Sequence, residues 1–376
     1  MGSDRGASAR VAILHDHLRF IGGGERVALS LAAALDADLY TTDVTPDLAA
    51  RAGLPEARVV DLGPVPDTPL LRQSRQRAAF ERVSLSKYDA YVLSGNWAVF
   101  AAARHRPNLW YCHTPVRVFY DLEETFLDSL GRGTRWAARR WIRSNRPAYE
   151  TAVRRVDRIV SNSRNVSDRL ARYLRRKSEV VHPPVDVAKY RFAGVGETWL
   201  AVARLSHEKR IDLLVEAFRR LPKERCVVAG GPQMGVDPRR FLRSVNPPAN
   251  VEFLGEIPES ELVERYATCR GLLATSRDED FGITPVEAMA SGKAVIAVDE
   301  GGFRETVVPG ETGWLVPPDP QAIATAISAA SPEILERMRS ACEARARTFD
   351  VSVFAARMRA IVDETVRSPR PEVTSA

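Results

Sequence analysis

Two glutamates that are separated by seven residues bracket the most informative stretch of the chain, which reads Glu279-Asp-Phe-Gly-Ile-Thr-Pro-Val-Glu287. The middle of this stretch predicts a turn from a strand into a helix, and Pro285 suits the first turn of that helix because its missing N–H costs nothing there. Glu279 then lies on the loop and Glu287 inside the helix, so we expect both carboxylates to face one pocket. A carboxylate can accept hydrogen bonds from two neighbouring hydroxyl groups, and the amides at the helix start suit sugar or phosphate oxygens.

Two cations occupy another segment of the same half, ValAlaArg204-Leu-Ser-His-Glu-Lys209. Arg204 and Lys209 stand at the start of a helix pattern, where cations are unfavourable unless an anion binds. Removing one preorganised contact to charge that develops in a transition state typically costs about 2.7–4 kcal/mol. The pair therefore predicts an anion-binding site that could work without a metal, although two solvated side chains would give the same pattern.

A glycine-rich loop opens the first half of the chain. Gly22, Gly23 and Gly24 follow the strand-like segment RVAILHD and open a helix pattern, so the backbone there could approach a phosphate or an acceptor closely. The loop is not the dinucleotide-binding fingerprint, because Val27 stands where that pattern needs a glycine. From the residues alone, a plain tight turn explains the loop equally well.

Strand and helix patterns alternate along the chain, which predicts an α/β fold with two Rossmann-like, doubly wound parallel-sheet domains. Ligands of such sheets bind at the carboxyl ends of the strands, so we expect the domains to face one cleft, with a donor on one wall and an acceptor on the other. An adjacent pair of prolines, Pro183 and Pro184, ends the first half, and we place the domain boundary near residue 192. The expected parts are a first domain at 1–192, a second domain at 193–349, a helix at about 350–367 that packs back on the first domain, and a disordered tail at 368–376.

Composition indicates a globular cytoplasmic protein. The hydrophobic fraction is 45% and the charged fraction 27%, and no apolar run reaches the roughly 18 residues of a membrane-spanning helix. The polar start of the chain lacks the apolar core of a secretory signal. The four cysteines have no paired spacing, so neither a disulfide framework nor a zinc site is expected.

The formal net charge is +6, and much of the excess lies between residues 132 and 158. Such a density suggests an anionic partner, which would be a lipid headgroup, a lipid-diphosphate acceptor or nucleic acid, but a solvated basic helix face is an equal interpretation. Trp136, Trp141 and Ile142 lie among the arginines, and this mixture suits a lipid interface unless the tryptophans pack inward. No nucleic-acid-binding motif accompanies the arginines, so we expect no nucleic acid partner.

Taken together, these motifs resemble the family 4 glycosyltransferases, which are retaining enzymes of the two-domain GT-B architecture. The resemblance covers nearly the whole chain and includes the double-glutamate motif, the Arg204–Lys209 segment with Arg210 where glycine is common, and the segments GGFRE at 301–305 and ETGWLV at 311–316. It implies that Glu279 contacts the donor hexose, that Glu287 binds the ribose hydroxyls, and that Arg204 and Lys209 clamp the diphosphate. The donor-binding residues implied are Gly23, Gly24, Arg204, Lys209, Phe281, Gly282, Ile283, Thr284 and Glu287.

His113 ends a strand in the run YCHTPVRVFYD. The family places a histidine at the corresponding strand end near the donor sugar, which implies a positioning role for His113 beside Glu279 and the two cations. The run also resembles a subgroup of mannosyltransferases that build lipopolysaccharide-type glycans, which favours GDP-mannose as the donor. Asp16, Arg117 and Asp121 are candidate acceptor contacts, and each also suits an ordinary surface.

The expected reaction is metal-independent, retaining transfer of a hexose from a nucleoside-diphosphate sugar to a glycan or lipid-linked acceptor, without a cofactor. Asp278 and Asp280 match the Asp-x-Asp signature of metal-dependent transferases, but they overlap the double-glutamate motif, and the cation pair already supplies the charge. The alternatives are a UDP-sugar-dependent transferase of the same family and a non-catalytic, membrane-surface sugar-binding protein. Peripheral contact with the inner face of the cytoplasmic membrane is expected through 132–158, and the sequence does not indicate an oligomeric state.

Overall fold

The computed structural model describes residues 9–51, 53, 57–233 and 236–367, and the expected tail at 368–376 lies outside these residues. The chain forms two compact units. The first takes in the described residues up to His182 together with those from Phe354 onwards, and the second comprises Pro183–Val353. The division therefore falls at the proline pair, whereas the sequence placed the boundary near 192.

The first unit is built on a parallel sheet. Its strands are β1 (Val11–His17), β2 (Asp38–Thr42), β3 (Val59–Asp61), β4 (Ala90–Ser94), β5 (Asn108–Cys112), β6 (Arg158–Ser161) and β7 (Glu179–Val180). They pair in the order β3-β2-β1-β4-β5-β6-β7. The order reverses between β1 and β4, which is the point of a doubly wound sheet where ligands bind.

Successive residues of β1 belong to different cores. Val11 and Ile13 pack in one buried cluster and Ala12 and Leu14 in another. Side chains alternate between the two faces of a strand, so the sheet is covered on both sides, as a continuous apolar run predicts. Before the chain enters the second unit, the first unit has the helices α1 (Gly23–Leu35), α2 (Leu48–Arg51), α3 (Leu71–Arg82), α4 (Glu123–Asp128), α5 (Arg132–Arg154) and α6 (Arg164–Arg169). It also has 3-10 turns at Ala98–Ala103 and Arg117–Phe119 and a π turn at Leu170–Leu174.

The second unit repeats the plan. Its strands are β8 (Thr198–Val202), β9 (Arg225–Ala229), β10 (Val251–Gly255), β11 (Leu272–Ala274), β12 (Val295–Val298) and β13 (Gly313–Val316). Its helices are α7 (Ile211–Arg219), α8 (Pro238–Val245), α9 (Glu259–Thr268), α10 (Ile283–Ala290), α11 (Phe303–Thr306), α12 (Pro320–Ala329) and α13 (Pro332–Arg347), with 3-10 turns at Val187–Lys189 and His207–Lys209. The parallel strands pair in the order β10-β9-β8-β11-β12-β13, so the order reverses between β8 and β11. The two sheets confirm the predicted α/β class with two Rossmann-like domains.

The last helix, α14 (Val351–Arg367), packs on the first unit. Its buried residues Phe354, Met358 and Ile361 belong to the same cluster as Val11 and Ile13 of β1. No helix among the described residues is long and apolar enough to span a membrane.

Candidate functional site

Glu279 and Lys209 form an ion pair in the second unit. The Lys209 Nζ donates to Glu279 Oε2 at 2.6 Å, and both side chains are largely shielded from solvent. Burial alone would raise the pKa of Glu279, but the Lys209 charge and hydrogen bond, a hydrogen bond from Ser276 and the Arg204 charge outweigh it, so the pKa of Glu279 is lowered. The structure thus brings together three of the predicted residues, and it holds Glu279 ionised.

Two loops that follow neighbouring strands carry the pair. Lys209 ends the 3-10 turn that follows β8, and its carbonyl oxygen accepts from Thr275 Oγ1 at 2.8 Å. The amide of Arg277 donates to the carbonyl of Glu208 at 2.7 Å. Because β8 and β11 adjoin at the reversal of strand order, their loops meet where ligands of such sheets bind.

Gly301 and Gly302 support the Glu279 loop from behind. The Gly302 amide donates to the Glu279 carbonyl at 2.8 Å. A Cβ at Gly301 would lie 2.5 Å from that carbonyl oxygen, and one at Gly302 would lie 2.4 Å from the Cα of Phe281. Neither position therefore has room for a side chain, which gives a physical reason for the glycine pair.

Helix α10 begins beside the ion pair. Gly282 precedes its first residue with φ of 90°, and a Cβ there would lie 2.8 Å from the Phe303 ring. Phe281 is buried against Phe349, with ring centroids 5.4 Å apart, and anchors the turn. Gly282 has no side chain to cap the helix, so the amides of Ile283 and Thr284 stand at its N-terminus, where backbone donors suit an anion.

Glu287 has a partner that the sequence did not reveal. The hydroxyl of Tyr266 donates to Glu287 Oε2 at 2.7 Å. Tyr266 is fully buried, and burial together with the Glu287 charge raises its pKa well above the ordinary value, so the phenol stays a donor. A lone tyrosine in helix α9 carries no sequence signal for this role.

Arg210 departs from the glycine that is common in the family, and the structure shows how it is accommodated. Its backbone adopts φ of 46°, a left-handed conformation that favours glycine. The guanidinium pairs with Glu300 at 3.0 Å, and the same carboxylate oxygen accepts the amide of Asp278 at 3.3 Å. The side chain therefore contributes to the support of the double-glutamate loop.

Asp16, a predicted acceptor contact, has a structural role in the first unit. Its carboxylate accepts the backbone N–H groups of Asn96, Trp97 and Ala98 at 2.7, 2.8 and 2.9 Å. Burial outweighs these three bonds and raises the pKa of Asp16 to about 6. A Cβ at Gly95 would lie 2.6 Å from the carboxyl carbon, so the glycine makes room for this cap. An acceptor contact through Asp16 stays a prediction.

His113 lies beside His15, with ring centroids 6.2 Å apart, and His15 in turn lies beside His17; the sequence singled out neither of these two. Its Nε2 is 3.0 Å from Ser94 Oγ, which is 3.2 Å from Nδ1 of His15. The His15 and His17 rings are 6.4 Å apart. Burial lowers the pKa of His113 to about 4, and burial followed by the Arg72 charge lowers that of His17 to about 4. These imidazoles are therefore neutral at physiological pH.

The glycine loop forms the N-terminus of α1, which starts at Gly23. Glu25 Oε2 accepts the Gly22 amide at 3.1 Å, and this carboxylate caps the helix. A Cβ at Gly24 would meet nothing within 4 Å, so the loop is open at that point.

Arg117 and Asp121 bind each other. Arg117 Nη2 lies 2.5 Å from Asp121 Oδ2, an i,i+4 pair that leads from the 3-10 turn at Arg117–Phe119 towards α4. Both side chains are partly exposed. Their contact with an acceptor stays a prediction, and an acceptor would bind side chains whose charges already neutralise each other.

The residues at the predicted lipid interface point in two directions. Ile142 is buried, and Trp141 packs against Trp97 and donates from its indole nitrogen to Ser74 Oγ at 3.1 Å. Trp136 is 71% exposed. The interpretation that the tryptophans pack inward is therefore right for Trp141 and wrong for Trp136.

Two family models match the chain and meet near the junction of the units. The model described as Glycosyltransferase Family 4 matches residues 21–189, and the model described as Glycosyl transferases group 1 matches residues 186–348. Together they span residues 21–348, which takes in the second sheet and all of the first sheet except β1.

Similar proteins carry glycosyltransferase names. The chain is 32% identical over 212 residues to the α-1,3/1,6-mannosyltransferase alg2 of Schizosaccharomyces pombe, covering 45% of this chain and 42% of that protein. It is 30% identical over 200 residues to the lipopolysaccharide core biosynthesis mannosyltransferase LpcC of Rhizobium leguminosarum bv. viciae, covering 47% of this chain and 54% of that protein. The chain spans about half the length of these curated relatives.

The fold also has solved relatives. The structure of Anabaena HepE in complex with UDP and glucose superposes with a TM-score of 0.73, covering 94% of this chain and 99% of that one at 18% identity. This likeness concerns the fold, and the two family models concern the sequence. The chain is therefore a glycosyltransferase-family protein that consists of a Glycosyltransferase Family 4 domain followed by a Glycosyl transferases group 1 domain, and it has the GT-B fold.

Proposed function

We propose that this protein transfers a hexose from a nucleoside-diphosphate sugar to a hydroxyl acceptor, with retention of configuration and without a metal. The observation that carries the proposal is the Lys209–Glu279 ion pair, which lies within the field of Arg204 at the strand-order reversal of the second sheet. Loss of the diphosphate leaves negative charge on its terminal phosphate, and a preorganised cation stabilises that charge. An ammonium has three N–H groups, so Lys209 can hold Glu279 and still donate to a phosphate oxygen.

The remaining donor contacts follow from chemistry. An ionised Glu279 accepts hydrogen bonds from sugar hydroxyls, and Glu287, oriented by Tyr266, accepts them from the ribose. The amides at the start of α10 suit phosphate oxygens. GDP-mannose is our preferred donor, because the relatives alg2 and LpcC are named as mannosyltransferases. A UDP-sugar is the alternative.

The acceptor in our proposal is a glycan or a lipid-linked glycan that binds the first unit. His113 stands at the carboxyl end of β5 and positions a reacting hydroxyl by a hydrogen bond. Arg117 and Asp121 are further acceptor contacts in this proposal. The neutral state of His113 suits such a positioning role, since a neutral imidazole offers one donor and one acceptor.

Helix α5 supports contact with a membrane surface. Its buried residues Ala138, Ile142, Asn145 and Tyr149 recur at helical spacing. The opposite stripe is exposed and basic, and it carries Arg132, Trp136, Arg140 and Arg143. An aromatic ring flanked by arginines suits the headgroup layer of anionic lipids. We therefore propose that the protein works at the inner face of the cytoplasmic membrane.

The decisive experiment is release of nucleoside diphosphate from a panel of GDP- and UDP-sugars, with EDTA and with magnesium. We expect wild-type protein to hydrolyse one donor slowly, equally well in EDTA, and Glu279→Ala protein to lose this activity. Product anomers read by NMR then test retention. If no donor is hydrolysed and calorimetry still detects a bound nucleotide sugar, even with candidate acceptors present, the protein is a sugar-binding protein instead.

A further inference from the structure

Three side chains from three adjoining strand ends form a chain of hydrogen bonds. His15 lies on β1 and pairs in register with Ser94, the last residue of β4, and His113 follows the end of β5. Nδ1 of His15 is 3.1 Å from the Ser94 carbonyl oxygen and 3.2 Å from its Oγ. The same Oγ is 3.0 Å from Nε2 of His113. Strands β1 and β4 flank the strand-order reversal of the first sheet, and β5 adjoins β4.

The proton positions follow from what each group can do. A carbonyl oxygen only accepts, so Nδ1 of His15 carries the hydrogen that it donates to the Ser94 carbonyl. Nε2 of His15 is buried without a partner among the described residues. A hydrogen on Nε2 would be a buried donor without an acceptor, which is rarer than a buried lone pair without a donor. For this second reason too, the hydrogen of His15 is on Nδ1.

The Ser94 hydroxyl is then directed towards His113. The one Nδ1 hydrogen of His15 is shared between the Ser94 carbonyl oxygen and Ser94 Oγ. The hydroxyl accepts from His15 and has its own hydrogen for Nε2 of His113. Burial keeps both rings neutral, because it lowers the pKa of His113 to about 4 and that of His15 well below 6.5. The repulsion that protonated His15 would feel from protonated His113 and His17 lowers the pKa of His15 further. A neutral imidazole that accepts at Nε2 carries its hydrogen at Nδ1.

We propose that His15 and Ser94 are positioning residues that fix His113 as an Nδ1–H donor towards a hydroxyl oxygen of the bound substrate. Nδ1 of His113 makes no hydrogen bond within the described part of the chain and is absent from its buried unpaired atoms, so it is open to a ligand. A fixed tautomer matters because the other one would present a lone pair to the same oxygen. The ligand part of this inference rests on the proposed function, and the tautomer part rests on the geometry alone.

The test is the tautomer of His113, read from ring nitrogen shifts in ¹⁵N-histidine-labelled protein near neutral pH. Loss of one signal set in His113→Asn protein assigns the ring among the six histidines. We expect the Nδ1–H form in wild type and a shift towards the Nε2–H form in Ser94→Ala protein. An Nε2–H wild-type ring overturns the inference, and because this arm uses wild-type protein, it does not depend on how a variant folds.

The kinetic arm uses two amides that mimic different ring nitrogens. The amide of asparagine lies near Nδ1 of the histidine it replaces, and that of glutamine lies near Nε2. His113→Asn should therefore retain more activity than His113→Gln. Ser94→Ala should lower the kcat of otherwise wild-type protein by roughly tenfold, which is the effect of one hydrogen bond. In His113→Asn protein, the same Ser94→Ala substitution should leave kcat unchanged. The reverse order of the two His113 variants overturns the inference. An inactive wild-type protein whose His113 is the Nδ1–H form overturns the transferase proposal, whereas an active one with the Nε2–H form overturns only this inference.

Discussion

The ammonium of Lys209 lies 2.6 Å from the carboxylate of Glu279, although the two residues are 70 positions apart in the chain. One follows β8 and the other follows β11, and these strands are neighbours in the sheet. The pair places a cation next to an ionised carboxylate that can accept hydrogen bonds from hydroxyl groups. Lys209 also lowers the pKa of Glu279, which makes the pair testable by pH.

Replacing Lys209 should impair transfer and change its pH dependence. Lys209→Met removes a preorganised cation, so we expect kcat/KM to fall by about a hundredfold to a thousandfold, equivalent to about 2.7–4 kcal/mol. Burial raises the pKa of Glu279 and Lys209 is the largest influence that lowers it, so the variant's Glu279 takes up a proton at higher pH than in wild type. The acid limb of the kcat/KM profile should therefore move towards neutral pH.

Lys209→Arg is the matched control for that change. It keeps the positive charge, so the acid limb should stay near its wild-type position even if kcat falls. An unshifted acid limb in Lys209→Met protein would show that Glu279 does not govern the profile.

The residue types of this pair were predictable, and their pairing was not. The spacing of the two glutamates and the position of Pro285 correctly predicted a loop followed by helix α10. Contact between Glu279 and Lys209 depends on β8 lying next to β11, and no sequence period encodes strand order. Tyr266 was missed for the same reason, because it reaches Glu287 from a separate helix, α9.

Tyr266→Phe should weaken nucleotide binding indirectly, through its effect on Glu287. The variant loses the hydroxyl that orients Glu287, and a hydrogen bond to a charged group contributes about 1.5–3 kcal/mol. We expect the Kd for the nucleoside diphosphate to rise roughly tenfold by calorimetry. In a double-mutant cycle, Glu287→Gln should show a smaller effect in the Tyr266→Phe background. Additive effects would mean that Tyr266 does not act through Glu287.

Gly301→Ala should disrupt the donor loop, and Gly310→Ala provides its control. Both glycines have positive φ, 53° and 81°, so alanine costs about 1–2 kcal/mol at either position. Only at Gly301 would the new Cβ press on the Glu279 backbone, at 2.5 Å, whereas nothing lies within 4 Å at Gly310. Gly301→Ala should therefore lower the thermal midpoint more than Gly310→Ala does, and it alone should weaken donor binding. Equal loss of donor affinity in the two variants would contradict this account.

The first unit shows where sequence patterns fail and where they succeed. Strand β3 gives no clear strand pattern in the sequence, because it has only three residues and two of them are exposed. The two faces of α5 could have been separated by helical spacing, since Ala138, Ile142 and Tyr149 recur on the buried side. Charge density alone did not distinguish Trp136 from Trp141.

Neutralising the outer stripe of α5 should release the protein from anionic membranes. Each arginine near such a surface contributes about 1 kcal/mol, so Arg140→Gln/Arg143→Gln should weaken binding to phosphatidylserine-rich vesicles by roughly thirtyfold at low salt. Trp136→Ala should weaken binding further, because its ring is 71% exposed. Vesicle co-sedimentation measures both effects.

The charge-matched control lies in the second unit. Arg239 and Arg240 are exposed on α8, and replacing both by glutamine removes the same net charge. This double variant should bind vesicles as wild type does. Equal losses in the two double variants would point to net charge rather than to a docking surface.

His17 should make the first unit less stable in acid. Burial, followed by the charge of Arg72, lowers the pKa of His17 from 6.5 to about 4. Between these values the unfolded chain binds a proton that the folded chain does not, so stability falls as the pH drops through this window and is unaffected by His17 above it. Below both pKa values, the free energy of unfolding would be lower by about 3 kcal/mol because of His17. His15 and His113 act in the same direction, whereas Asp16, whose pKa is raised to about 6, opposes them. We therefore expect His17→Gln to make the decline shallower without abolishing it, as measured by calorimetric unfolding at about pH 7 and about pH 5. A decline as steep as that of wild type would show that His17 is protonated in the folded protein.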